Sequence, residues 1–170
     1  MMPGPQRANF TKAGARHGRM RLRRCAGFTV LELLIVMAII LTIAAMAIPS
    51  LKSAVASAKD ARAVADIRTI GNEALGYYAQ YGAAPDTLAD IGYDQQLDPW
   101  GAPYQYLAFA NVNGKGKMRK DRFLVPINTH FDLYSMGPDG QSVSPLTAKQ
   151  SQDDIIWAND GAYLGVAANY

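Results

Sequence analysis

The sequence predicts an α+β fold: one long amino-terminal helix, apolar all round in its first half, packed on a small antiparallel sheet with a loop-rich carboxyl-terminal region. Three observations predict it. Residues 28–48 form a run of 21 residues whose apolar character is broken only by Thr29, Glu32 and Thr42. Helix-forming residues then continue to about Tyr81. From Asp98 onward, Gly, Pro, Asn and Asp punctuate short segments that alternate in polarity.

The apolar run is long enough for a helix to cross the hydrocarbon core of a bilayer. An ionised carboxylate inside it costs about 3 kcal/mol on insertion scales, which makes Glu32 a functional residue by default. Residues 1–27 hold seven of the 17 Lys and Arg residues and no acid, so the remainder carries ten basic against 14 acidic residues, a net of −4. The overall charge of +3 therefore gives no support to nucleic-acid binding. It fits the positive-inside rule, with the amino terminus cytoplasmic and the rest sent outward. Cys25 is the only cysteine, and the apolar run follows it rather than preceding it, which argues against a lipoprotein site. No disulfide is then available to the chain after residue 27.

Pro49 closes the apolar run and should bend the helix or loosen a turn, because it lacks the N–H and crowds the carbonyl four residues back. Beyond it, Leu51, Val55, Ala58, Ala61, Ala65, Arg68, Gly71, Leu75 and Tyr78 recur at helical spacing and predict the face that packs on the soluble domain. Gly82 stops the helix, and Pro85-Asp86-Thr87 starts a short turn that carries Leu88 and Ile91 inward. Residues 104–110, 123–127 and 131–136 are the candidate strands, about three in all, separated by turns at 98–103, 113–116 and 138–140.

Gly27 followed by Phe28-Thr29-x-x-Glu32-Leu33-Leu34, with a basic leader before it and Pro49 at the end of the run, resembles the processing site of the type IV pilin and pseudopilin superfamily. The resemblance implies a pilin-like fold in three parts. Residues 1–27 are a leader removed by a prepilin peptidase between Gly27 and Phe28, residues 28–49 a transmembrane and filament-core helix, and residues 50–170 a periplasmic domain. Met20 offers an alternative start with a shorter leader. Phe28 would be N-methylated, and Glu32 would be the fifth residue of the mature chain, acting in assembly. In a filament Glu32 needs a positive partner. The nearest is the amine freed at Phe28, in its own or a neighbouring subunit.

Asp98-Pro-Trp-Gly-x-Pro-Tyr-x-Tyr106, then Asp132-Leu-Tyr-Ser-x-Gly-x-Asp-Gly140 and Asp153-Asp154-Ile-Ile-Trp157, is similar to the major, G-type pseudopilin of type II secretion. The similarity implies a subunit that polymerises from the inner membrane into a periplasmic pseudopilus and helps drive folded exoproteins through the outer membrane. Its partners would be further copies of itself, a prepilin peptidase, minor pseudopilins and the inner-membrane assembly platform. A type IV pilin or minor pilin of a surface fibre, used in adhesion, motility or DNA uptake, is the alternative. Two segments depart from the family pattern: residues 141–152, longer and less acidic than usual, and residues 158–170, an extension past Trp157.

The same resemblance implies a calcium ion held by Asp139, Asp153 and Asp154 with carbonyls near Leu133 and Met136. Calcium takes six to eight oxygens. The plainer reading makes Asp139 a turn former and Asp153-Asp154 a solvated pair. Lys115, Lys117, Arg119, Lys120 and Arg122 form a basic run that is either solvated surface or a patch for acidic faces of neighbouring subunits. His130 reads as structural, and Ser135 and Ser144 lack the Gly-x-Ser-x-Gly setting, so no catalytic residue is assigned.

Overall fold

The computed structural model describes Gly4 and residues 27–170. The rest of the leader, with Met20 and Cys25, lies outside the described residues. Two compact units are distinguished, residues 1–43 and 44–170. A single helix, α1 (Val30–Tyr81), runs for 52 residues with Pro49 inside it. The helix continues through Pro49, whose missing N–H leaves the carbonyl of Ala45 without its helical donor. Every large apolar side chain from Val30 to Ile48 is exposed. This stretch is long and apolar enough to span a membrane.

In the second unit α1 ends at Gly82, whose φ of 74° suits glycine at a helix stop. Its buried face is Ala63, Ile67, Ile70, Gly71 and Ala74. That corrects the predicted face, of which Gly71 alone is buried: Leu51, Val55, Ala58, Ala61, Ala65 and Arg68 are exposed, and Leu75 and Tyr78 half-buried. In an Ala-rich helix several rotations offer a small apolar stripe. The branched Ile67 and Ile70 decide among them, because they remove the most apolar surface from water.

Four antiparallel strands follow in the order β1 (Gln105–Ala108), β2 (Phe131–Ser135), β3 (Ile155–Ala158) and β4 (Tyr163–Val166). Tyr106 pairs with Leu133, Ser135 with Ile155, and Ile155 with Val166. Facing α1, Phe131, Leu133, Ile155 and Trp157 pack with Leu88 and Tyr104 on the helix residues. Ile156 and Ala158 point the other way and build a second core with Ile127, Leu146 and Ala167. All four residues of β3 are therefore buried.

Two sequence expectations change. Residues 123–127 are not a strand: Asp121 and Leu124 exchange backbone hydrogen bonds of 3.0 and 2.7 Å in a tight turn, and Arg122 has a φ of 46°. Pro126 has no N–H to offer a ladder. The chain past Trp157 instead supplies β4 and Ala167, so the extension completes both the sheet and the second core. Leu88 is buried and Ile91 half-buried on a short 3-10 turn, Leu88–Ile91, as expected.

Candidate functional site

At the start of α1, Thr29 and Glu32 satisfy each other. The Glu32 N–H donates to Thr29 Oγ1 at 3.1 Å, and Glu32 Oε2 accepts from the Thr29 N–H at 2.9 Å and from Thr29 Oγ1 at 3.0 Å. This is a capping box, which pairs backbone donors that a helix start otherwise leaves free. The Thr-x-x-Glu spacing is its sequence signal, and the sequence reading assigned Glu32 to assembly alone. Gly27 and Phe28 precede the helix in non-helical backbone, and Phe28 is exposed. The proposed cut, between Gly27 and Phe28, therefore falls in exposed chain one residue before the Thr29 cap.

The two G-type motifs meet in the second unit. Asp98 is buried, and its Oδ1 accepts from the N–H groups of Trp100 at 3.0 Å and Ala102 at 2.8 Å. Ser135 donates its hydroxyl to Asp98 Oδ2 at 2.5 Å. The Asp-Pro-Trp-Gly turn is thus fastened to the end of β2. Tyr104 and Tyr106 tie β1 to the helical region, donating to Asp66 at 2.9 Å and to the Pro85 carbonyl at 2.8 Å. Burial pushes both phenols above their ordinary range, with Asp66 adding to it at Tyr104 and Asp86 at Tyr106. Trp157 fills the space between two glycines: a Cβ at Gly71 or at Gly161 would run into its ring.

Of the three carboxylates proposed for calcium, only two come together. Asp139 and Asp153 line an open cleft of about 690 Å³ together with Gln141, Gln152 and Lys149. Asp139 Oδ1 accepts from the Gln141 N–H at 2.8 Å, and Asp153 Oδ2 from the Asp139 N–H at 3.3 Å. Asp154 is fully buried and directed elsewhere: its Oδ2 pairs with the Arg119 guanidinium and accepts from Ser142 Oγ at 2.6 Å. Leu133 is committed to the sheet, and Met136 follows β2 directly. Among the described residues no three His, Cys, Asp or Glu side chains come together as a metal site. As placed, these residues do not fit the oxygen cage that calcium requires.

Arg119 is the residue the sequence reading missed. Although it sits in the basic run, it is buried, while Lys115, Lys117 and Arg122 are exposed. Besides Asp154, its Nη1 donates to Ser142 Oγ at 2.5 Å and to the Val143 carbonyl at 2.8 Å, and its Cζ lies 4.2 Å from the centre of the Tyr134 ring. Its backbone N–H donates to Asp132 Oδ2 at 2.6 Å. Burial pushes the Asp154 carboxyl up, opposed by Ser142 and Arg119, and it pushes Asp132 up against the pull of the Arg119 N–H and Asn128. His130 stacks on Tyr78, with ring centres 4.0 Å apart, in a packing role.

Residues 22–48 match the model of the prokaryotic N-terminal methylation motif. The chain is similar to type II secretion system core protein G of Pseudomonas aeruginosa, 32% identical over 72% of this chain and 89% of that protein. It belongs to the family of these major pseudopilins. Core protein G of Aeromonas hydrophila is 32% identical over 72% of this chain and 90% of its own length, and that of Vibrio cholerae 27% identical over 71% and 86%. No solved structure matches the chain. For the pseudopilin family the apolar stretch and the helix-on-sheet unit are the two parts that the sequence led one to expect, and the Thr29–Glu32 cap is the addition.

Proposed function

We propose that this pseudopilin is the repeating structural subunit of a type II secretion pseudopilus, and that the filament helps drive folded exoproteins through the outer membrane. It enters the inner membrane by residues 28–49, with its amino terminus cytoplasmic and residues 50–170 periplasmic. A prepilin peptidase cuts between Gly27 and Phe28, and the new terminus at Phe28 is methylated. Further copies of the chain, minor pseudopilins and the inner-membrane assembly platform are its partners.

One conjunction carries this reading: an apolar belt with every large side chain exposed, on a chain whose near full-length relatives are secretion core proteins. Such a belt has to be covered, by lipid before assembly and by neighbouring helices after it. The named relatives favour secretion over a surface fibre. As a filament subunit the chain carries no assigned catalytic residue.

Deleting the gene in the source bacterium should leave exoproteins in the periplasm, and the wild-type gene should restore their release. Gly27→Val should restore nothing and should accumulate uncleaved precursor in the membrane fraction, seen by mass spectrometry. Normal secretion without the gene, or assembled material that begins at a residue other than Phe28, would overturn the reading.

A further inference from the structure

We infer that Arg119 is a built-in cation for the carboxyl-terminal loop, supplying through its guanidinium the positive charge that the resemblance assigns to calcium. The loop, residues 136–154, brings two carboxylates, Asp139 and Asp153, to the cleft but turns the third, Asp154, into the interior. A fully buried carboxylate needs a charge partner or a set of donors. Asp154 has a charge partner in Arg119 and a further donor in Ser142, both on Oδ2, while its buried Oδ1 has no hydrogen-bond partner.

The guanidinium does more than neutralise. Its planar fork reaches Ser142, the Val143 carbonyl and Asp154 at once, three points on two separated stretches of the chain. Ser151 closes the same loop by donating to the Val143 carbonyl at 2.7 Å and accepting the Val143 N–H at 2.9 Å. Tyr134 covers the guanidinium from the sheet, and the Arg119 N–H fastens to Asp132. A divalent ion gathers a loop in the same manner, by drawing distant oxygens to one point. Here a side chain does so, and residues 141–152, the segment that departs from the family pattern, are the ones it gathers.

The test uses the mature full-length protein in detergent, melted with a chelator and with millimolar calcium chloride. The wild-type Tm should be the same in both conditions. Arg119→Ala should melt roughly 10 °C or more lower in chelator, because Asp154 is left buried without its partner. Calcium should return part of that loss, since a cation bound only by the native state stabilises it by mass action. Arg119→Lys, which keeps the charge and loses the fork, should fall between the two. A wild-type Tm that climbs by several degrees on adding calcium, or an Arg119→Lys protein that melts with the wild type, would overturn the proposal. Neither result touches the secretion reading, which is decided by exoprotein release.

Discussion

Between Val30 and Ile48 every large apolar side chain of α1 is exposed, whereas between Ala63 and Ala74 the same helix buries Ile67 and Ile70 completely. The first stretch has the larger apolar side chains and covers none of them. The second has few and covers nearly all. Apolar content therefore does not by itself decide burial within this chain. What decides it is a sheet face shaped to receive the helix, with Trp157 placed where Gly71 leaves room. Among the described residues the first stretch has no such partner, and the proposed function supplies one from lipid or other subunits.

Glu32 gives the largest expected effect, since it alone charges the exposed stretch. Glu32→Leu should insert and be cleaved like wild type but form no filaments. If Glu32 pairs in the filament with the amine freed at Phe28, the change leaves that amine unpaired in an apolar setting, a cost of roughly 3–5 kcal/mol for each broken buried pair. Glu32→Gln separates two roles, because glutamine at this position still completes a capping box while removing the charge. Electron microscopy of overproduced pseudopili should show Glu32→Gln failing as Glu32→Leu does. Normal filaments from Glu32→Gln would reduce the residue to a helix cap.

A smaller effect compares one isoleucine from each stretch. Ile67→Ala should lower the stability of the folded unit by about 2–5 kcal/mol, the usual cost of emptying a packed site. Ile40→Ala should leave the melting of that unit unchanged and act on assembly alone. Near-ultraviolet circular dichroism of the mature protein reads both. Equal losses would mean that the exposed stretch contributes to the same cooperative unit.

The smallest is Gly71→Ala, where a single methyl group meets the Trp157 ring. Overpacking of this kind costs about 1–3 kcal/mol, seen as a lower Tm with normal processing. An unchanged Tm would show that the indole shifts freely, so that Gly71 adds nothing to the rotation that Ile67 and Ile70 set.

Much of this was legible because it is local chemistry. The apolar run, the stop at Gly82, the Leu88 turn and the Asp98 turn each follow from neighbouring residues. The face of α1 was not, since the sheet residues that receive Ile67 and Ile70 lie far along the chain. β3 escaped because Ile155-Ile156-Trp157-Ala158 is short and buried on both sides, so it shows no alternation to count. Residues 123–127 are a short apolar run that could pair as a strand, yet the turn at Asp121–Leu124 takes the Leu124 backbone groups first. Arg119 was hidden among lysines, and only the fold separates it from them. The Thr29-x-x-Glu32 cap, by contrast, was in plain view as a spacing.

The contact of Trp157 with Gly71 and Gly161 also sets an order of events during synthesis. The helix leaves the ribosome early, with Ile67 and Ile70 exposed until the sheet arrives. Their cover cannot close before residue 157 has emerged, nor can β3 be flanked on both sides before Val166 pairs with Ile155. A nascent chain halted anywhere in the loop that Arg119 gathers therefore has Phe131 and Leu133 but lacks Ile155 and Trp157, and its isoleucine face is only partly covered. The unit thus closes from its far end: β3 brings the indole that covers the helix, and β4 then flanks β3.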